Sequence, residues 1–468
     1  MYNVYLPDKG KLVLLLVFSV LSTVSAQEIL PLREAVSLAV ENYGSIKAKN
    51  AYLKATQSLE KEAHRAYLPD INLGARNDYG TINGLYGPSF GFGGSGLASS
   101  GPVYEEENWN AAFGSLYFAS FNWEVFAFGK ARQRNRTAAA ATARDSRDRI
   151  QEIFRHKIKV AAAYLQVVAA QQLMLSYEKN LERAETFRNI VAARTKSGLI
   201  AGVDSLQANA AYSNARITLT KAIDYRQEQS NNLAVLMGVV ARDFKPDTLF
   251  ISRIPMTFNP EGAPLKHAEH PVLQWYESRA AYSDARARFL KASLLPSVNF
   301  VGVIQTRGSG FFHDYATTGN FTQNYWDGIE PNRSNYLLGI GINWNITEPF
   351  RGSQRVKAQK YISQAFREEY KRSEQEIEAQ LNYAEQKIGN ALDNYREAPV
   401  QVDAAQQAYH RQTVLYENGL TDLNTVTQAL YALVRAETDR DIAYNNVWQA
   451  LLLKAAATGD FSLFEDQL

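Results

Sequence analysis

The chain has 468 residues, 50 lysines and arginines against 48 aspartates and glutamates, and no cysteine. The missing cysteines exclude disulfides, thiolate metal sites and the lipid-bearing cysteine of a bacterial lipoprotein. The balanced charge provides no global positive field of the kind that recruits nucleic acid.

The N-terminus predicts a secretory signal peptide over residues 1–26. Lys9 and Lys11 precede an apolar run from Leu12 to Leu21, and a small-residue cleavage site ends at Ala26. That run is too short to span a membrane, and no later stretch has about 18 consecutive apolar residues. An exported chain of this kind would have to enter a membrane as strands.

Residues 27–238 predict a first structural repeat. A helix ends before Pro69, and a strand pair follows at about 68–79 and 111–126, joined by a Gly/Ser-rich loop. The chain from Gly129 to Gly198 contains no other glycine and no proline, so it predicts a helix of about 100 Å. This helix turns at a tip over 194–204 and returns antiparallel, with Leu206, Ala210, Ser213 and Ile217 at coiled-coil spacing.

Residues 265–459 predict a second repeat with the same order of landmarks. Its strands are expected at about 295–305 and 335–347, separated by a loop over 306–334, and its hairpin has a tip over 416–424. Pro399 predicts a kink in the outbound helix. The proline-rich segment 239–264 is interpreted as a linker that wraps the helices, and 460–468 as a short tail.

The predicted strands have membrane character. Tyr336, Leu338, Ile340 and Ile342 alternate with small or polar residues, which indicates a half-buried strand. Aromatic residues at the strand ends predict an interfacial girdle of Trp123, Phe126, Tyr336, Trp344 and Phe350, although a soluble β-sandwich also favours aromatic residues. The basic runs that follow the strands fit either a solvated helix face or lipid-headgroup anchors; they are Arg132, Arg134 and Arg136, and Arg351, Arg355 and Lys357.

Four strands cannot close a barrel, and an open edge in lipid leaves backbone groups unpaired. Two copies would supply eight strands with a filled interior, whereas three would supply twelve and begin to leave a lumen. The predicted fold is therefore mainly α with a membrane β-barrel shared by a homotrimer.

These features resemble the TolC-like outer-membrane efflux factors over essentially the whole mature length. The resemblance rests on the signal peptide, the duplication, the Leu-Pro strand starts at Leu68 and Leu295, the Trp strands followed by Gly129 and Gly352, and the two Gly-Leu turns. It implies a trimeric 12-stranded barrel continued by a periplasmic α-barrel. It further implies an exit duct for drugs, metal ions or polypeptides that works with a periplasmic adaptor and an inner-membrane transporter.

The resemblance also assigns residues at the tips. It implies adaptor contacts in both turns: Arg194, Lys196, Ser197, Gly198, Leu199, Glu417, Asn418, Gly419 and Leu420. It suggests a gate at Asp204 and Tyr416, with Thr421 where the family has an arginine and with Asn424 and Thr427 where it can have aspartates. From the residues alone, Asp204 fits a helix cap as well as a gate, and Asp422 fits the cap of the returning helix.

Other motifs carry little weight. The Gly91–Gly96 string has the GxGxxG pattern but lies in a loop without a following helix, and His267 and His270 are expected to be ordinary surface histidines. No catalytic, cofactor or metal site is predicted. The rival interpretations are a secreted coiled-coil stalk or adhesin, which does not explain the alternating strand, and an outer-membrane hydrolase, which would need a nucleophile beside a base.

Overall fold

The computed structural model of the protein describes residues 29–85, 101–198, 200–247, 249–255 and 269–467. The predicted signal peptide, the GxGxxG string, His267 and Leu199 lie outside the described residues. The chain divides into two compact units. The first consists of Met1–Lys54, Arg144–Arg279 and Phe366–Leu468, and the second of Ala55–Ala143 and Ala280–Ala365.

The described residues of the first half of the chain form three strands and four helices. In chain order they are β1 (Ile29–Leu30), α1 (Leu32–Asn42), α2 (Gly44–Arg65), β2 (Asp70–Thr81), β3 (Ala111–Phe126), α3 (Lys130–Lys196) and α4 (Gly202–Met237). The 67 residues of α3 correspond to about 100 Å of helix. Gly238 ends α4 in the left-handed region, with φ of 66°.

The described remainder of the chain continues with three strands and seven helices. They are β4 (Lys245–Pro246), α5 (Leu249–Ser252), α6 (Pro271–Ala292), β5 (Ser297–Ser309), α7 (Tyr315–Thr318), α8 (Tyr325–Ile329), β6 (Arg333–Asn343), α9 (Glu348–Glu417), α10 (Leu423–Thr458) and α11 (Ser462–Glu465). The predicted loop at 306–334 is wrong in part, because β5 extends into it and α7 and α8 lie within it. The helix α9 is continuous through Pro399.

The second unit contains an antiparallel sheet with the strand order β2-β3-β5-β6. Each helix that precedes a first strand ends just before a Leu-Pro pair, because proline cannot continue the backbone hydrogen bonding of the helix. The register between β3 and β5 shifts between Glu124 and Phe126, at the end where β3 leaves the sheet. The sheet has two unpaired edges, β2 and β6.

The first unit has a hydrophobic core built from distant parts of the chain. Leu30, Tyr164, Leu233, Trp448 and Phe464 all belong to it and are almost fully buried. The short strands β1 and β4 pair in parallel. The tail that the sequence analysis treated as a simple terminus contains α11, which the apolar side chain of Phe464 draws into the core.

Tyr164 ties β1 to the segment after β4. Its hydroxyl donates to the Leu30 carbonyl at 2.7 Å and accepts from the Asp247 backbone N–H at 2.8 Å. Burial raises the pKa of this phenol well above its usual value. The segment 239–264 is thus anchored to the core through its described part.

Among the described helices, α3 alone contains a stretch that is long and apolar enough to cross a membrane by length and composition, and 39% of that stretch is buried in protein. Tyr164, Leu165 and Val167 of α3 are fully buried in the core. The apolar stretch of α3 is therefore explained by its packing in the hydrophobic core.

The prediction that Leu206, Ala210, Ser213 and Ile217 form the packed face of α4 is wrong within one protomer. Leu206 and Ile217 are exposed, and the buried stripe is Ala208, Ala215 and Ala222 instead. Small side chains at seven-residue spacing let neighbouring helices approach closely, so alanine replaces the larger residues on the buried face.

Candidate functional site

Each hairpin tip turns at a glycine with positive φ. The φ angles are 75° at Gly198 and 72° at Gly419, and apart from the neighbours in sequence no described residue has an atom within 4 Å of a Cβ built on either glycine. At the second tip the Gly419 N–H donates to the Tyr416 carbonyl and the Leu420 N–H to the Leu415 carbonyl. Glycine is therefore required for backbone conformation at both turns, while the space around them is open.

Arg194 joins the two tips of one protomer. Its Nη1 donates to the carbonyls of Tyr416 and Glu417, both at 2.9 Å, and its guanidinium carbon lies 5.5 Å from the centroid of the Tyr416 ring. These carbonyls are in the last turn of α9, where the helix dipole is negative and carbonyls lack the regular N–H partners of the helix interior. The sequence analysis assigned Arg194 to adaptor contact, whereas this geometry uses it to hold one hairpin against the other.

A small hydrophobic cluster lies beneath this contact. We call it the tip cluster; it consists of Phe187, Val191, Ala208, Tyr416, Leu423 and Val426. The ring centroids of Phe187 and Tyr416 are 5.7 Å apart. The cluster draws on α3, α4, α9 and α10, so it packs the ends of all four long helices together.

Tyr416 is 4% exposed, and its hydroxyl has no hydrogen-bond partner among the described residues. Burial raises the pKa of the phenol, the charge of Asp204 raises it further, and Arg194 opposes both. The two predicted gate residues Asp204 and Tyr416 are thus close enough to interact electrostatically. No hydrogen bond links them.

Asp204 and the remaining predicted gate residues lie around the start of the returning helices α4 and α10. Asp204 is in the first turn of α4, but the cap position is Ala201 and no side chain caps it, so the cap interpretation of Asp204 is wrong. Thr427 donates to the Leu423 carbonyl of its own helix at 2.9 Å. Thr421 is half-buried and Asn424 is exposed.

Asp422 caps α10, as the sequence predicted. Its carboxylate accepts from the Thr425 backbone N–H at 2.8 Å and from the Thr425 hydroxyl at 2.7 Å. These hydrogen bonds lower the pKa of the carboxyl group. The cap fixes where the second hairpin starts to return.

The remaining described residues assigned to adaptor contact form the outer surface of the tips. Lys196, Ser197, Glu417, Asn418 and Leu420 are exposed, and Leu420 is 73% exposed. The surface therefore combines one cation, one anion, two small polar side chains and an apolar side chain.

In the second unit, the sheet register separates two faces. The apolar face contains Ile71, Leu73, Phe121, Trp123, Phe300, Ile304, Tyr336, Leu338, Ile340 and Ile342. The polar face carries every charged residue of the four strands: Asp70, Arg76, Asp78, Glu124, Arg307 and Arg333. Most of the apolar face is uncovered in one protomer, with Leu73 82% and Tyr336 80% exposed, whereas α8 packs on its end at Phe113 and Ser115.

Two girdle tryptophans occupy matching positions. The Trp123 indole N–H donates to the Tyr67 carbonyl at 2.8 Å, and that of Trp344 donates to the Leu294 carbonyl at 3.2 Å. Tyr67 and Leu294 each directly precede a Leu-Pro pair. Both indoles therefore close the turn from a helix into a first strand.

The other girdle residues differ in placement. Tyr336 lies on the apolar face, Phe126 ends β3 and packs edge-on against Phe128 at 4.8 Å, and Phe350 is in the first turn of α9. Trp344 lies just after β6, which ends at Asn343 rather than at the predicted residue 347.

One motif that the sequence analysis set aside is corrected by the structure. His270 is 2% exposed rather than at the surface, because it packs edge-on against Phe154 and its Nδ1 accepts from the Val272 N–H. Among the described residues, no group of three or more histidines and carboxylates could hold a metal ion.

The comparisons with known proteins agree with this arrangement. Residues 35–239 match the model of the family "outer membrane efflux protein". The resemblance to that family is confirmed. The predicted location, the outer membrane with a long periplasmic extension, is confirmed with it.

Solved structures share the fold across nearly the whole chain. VceC from Vibrio cholerae is 17% identical, with a TM-score of 0.71 over 92% of this chain and 96% of that one. The Campylobacter jejuni CmeC outer membrane channel is 14% identical, with a TM-score of 0.72 over 92% and 85%. CusC, described with its transmembrane channel formation, is 12% identical, with a TM-score of 0.75 over 92% of both chains. No curated protein gives a significant match.

Proposed function

We propose that three copies of this efflux protein form an outer-membrane exit duct of a tripartite efflux or type I secretion system. The duct conducts substrates passively from a periplasmic adaptor and inner-membrane transporter to the outside, and no catalytic step is involved. The observation that carries the proposal is the four-stranded sheet with one exposed apolar face, all its charges on the other face, and two unpaired edges.

The sheet supports a shared barrel. In lipid, each unpaired backbone group costs several kcal/mol, so β2 and β6 need partners from other copies. Three copies supply twelve strands with the apolar faces toward lipid and the polar faces toward a lumen. Leu206 and Ile217, exposed on α4 in one protomer, would then lie against a neighbouring copy in an α-barrel.

We also propose that the chain is two structural repeats, 27–238 and 265–459, joined by 239–264 and followed by 460–468. The repeated order of helix, two strands and two long helices supports this, as do the matching hydrogen bonds of Trp123 and Trp344. A trimer would then present six similar hairpins, whose exposed tip residues provide the surface for the adaptor.

The deciding experiment is imaging of the detergent-purified protein from isolated outer membranes. The proposal expects a threefold hollow cylinder that salt or carbonate alone does not extract from the membrane. A soluble monomer without a lumen would contradict it and would favour the coiled-coil stalk.

A further inference from the structure

The sheet register places three arginines in one row. Arg76 of β2 lies opposite Leu116 of β3, Leu116 lies opposite Arg307 of β5, and Arg307 lies opposite Arg333 of β6. Directly paired residues point to the same face of a sheet. The three guanidinium groups therefore leave the sheet on its polar face, in a single row perpendicular to the strands.

Little negative charge opposes this row. Arg76 forms an ion pair with Asp78 at 2.7 Å, and Arg333 donates to the Asn332 carbonyl at 2.8 Å. Among the described residues Arg307 has no carboxylate within ion-pair distance, and all three arginines are exposed. The carboxylate of Asp78 is thus paired with the row at Arg76.

The other carboxylates of the polar face are elsewhere. Asp70 lies at the opposite end of β2, and Glu124, near the corresponding end of β3, pairs with Lys130 at 2.8 Å. Glu105, Glu106 and Glu107 lie in the β2–β3 connection, outside the strands. The row is therefore a net cationic band with neutral residues on most neighbouring strand positions.

This row of arginines destabilises the sheet when no anion is bound. Arg307 and Arg333 are directly cross-strand, and like charges in that position repel. Planar guanidinium groups bind phosphate and carboxylate oxygens in a bidentate manner. An anionic ligand or solute would relieve the repulsion. Because the opposite face of the strands is uncharged and largely apolar, that ligand would lie in the aqueous lumen rather than in lipid.

We propose that Arg76, Arg307 and Arg333 form a cationic ring inside the barrel that binds anionic groups and favours substrates carrying phosphate or carboxylate. The inference rests on the proposed function, because three copies of the sheet assemble the ring from nine guanidinium groups. It assigns a substrate class to the duct, namely anionic solutes.

Calorimetric titration of the detergent-purified protein with inorganic tripolyphosphate tests the ring without requiring conduction. The triple variant Arg76→Gln, Arg307→Gln, Arg333→Gln should bind at least about tenfold more weakly, and the wild-type affinity should fall as salt rises. Replacing the same three residues with lysine keeps the charge and should retain most of the binding. A matched control removes three exposed arginines from the long helices: Arg372→Gln, Arg396→Gln and Arg435→Gln.

Equal affinity in the glutamine and control variants, or no binding to the wild type, overturns the ring. If the triple glutamine variant fails to assemble, Arg307→Gln alone decides, since that exposed side chain has no ion pair to lose. Currents across planar bilayers separate the two proposals. A wild-type current that tripolyphosphate blocks supports both the exit duct and the cationic ring. If the wild type carries no current, the exit duct is contradicted, and the calorimetric titration alone tests whether the ring binds anions.

Discussion

Arg194 lies in the last turn of α3 and donates to two carbonyls of another helix, so its side chain links the two hairpins of one protomer. Thr421 occupies the position where the family pattern places an arginine after the second turn. Arg194 supplies a guanidinium group to the same tip from the first hairpin. The contact between the two hairpin tips of one protomer therefore depends on Arg194, which precedes the first turn.

Arg194→Ala should loosen the second tip. Hydrogen bonds from a charged donor contribute about 1.5–3 kcal/mol, and partial exposure reduces this to about 1 kcal/mol, or about fivefold in local opening. Hydrogen exchange of the amides from Tyr416 to Gly419 measures the opening. Lys196→Ala, an exposed neighbour, is the control, and equal exchange in both variants would contradict the role of Arg194.

Tyr416→Phe tests whether the phenol hydroxyl holds the tip. The hydroxyl is buried without a partner among the described residues, so its removal should leave the tip at least as stable. Phe187→Ala is the contrasting change, since it opens a cavity against the same ring and should cost about 3 kcal/mol. If exchange at the tip instead rises after Tyr416→Phe, the hydroxyl makes a contact that stabilises the closed tip.

At the scale of elements, the junctions between helices and strands are specified by a proline and a tryptophan together. The proline ends the helix, and an indole N–H at or just after the end of another strand donates to the carbonyl of the residue before the Leu-Pro pair. The helix-to-strand turn and the strand pairing are therefore coupled.

Trp123→Phe and Trp344→Phe should each lower the stability of the sheet by about 1 kcal/mol, because they remove one hydrogen bond and keep most of the apolar contact. The temperature at which the folded form is lost on a semi-native gel measures the change. Trp109→Phe removes an indole that is 82% exposed and should have no effect. A larger loss for Trp109→Phe than for the other two would refute the junction role.

Gly198→Val and Gly419→Val should strain the tips by about 1–2 kcal/mol each, because a β-branched residue disfavours positive φ. The space around both glycines is open, so the cost is conformational and the barrel should still assemble. Export measured in cells should fall. Gly202→Ala, at a helical glycine without positive φ, is the control, and unchanged export in both valine variants would remove the turns from the adaptor surface.

Sequence patterns were sufficient for features that depend on local chemistry, such as the Pro69 strand start, the Gly198 and Gly419 turns and the Asp422 cap. They were insufficient where burial depends on partners from elsewhere in the chain. Ala208 is buried in place of Leu206, His270 is enclosed by Phe154, and Phe464 enters the core because other elements cover them. The function of Arg194 depends on a carbonyl of another hairpin, which no local pattern encodes.

At the scale of the whole molecule, the proposed shared barrel depends on β2 and β6, the strands at the two edges of the described sheet. Because the chain contains no cysteine, introduced cysteines report pairing without background. Asn77→Cys in β2, combined in turn with Ser334→Cys, Tyr336→Cys or Leu338→Cys in β6, should give a covalent trimer on oxidation for at least one pair.

The control pair, Ala119→Cys with Ile304→Cys, joins neighbouring strands of the same copy and should leave the monomer mass unchanged. Only monomers or dimers from all β2–β6 pairs would argue against a closed ring of three. Each pair tests one register, so the reactive pair also identifies how neighbouring sheets align.

The core of the first unit combines Leu30 and Leu32, at the start of the described chain, with Phe461 and Phe464, near its end. If the chain is exported from its N-terminus, as the proposed function requires, these two groups reach the periplasm at opposite ends of translocation. The early segment would then keep its apolar side chains exposed until the last helix has emerged. We therefore expect the exported polypeptide to need a chaperone in the periplasm because of this long-range contact, independently of any need to insert strands into lipid.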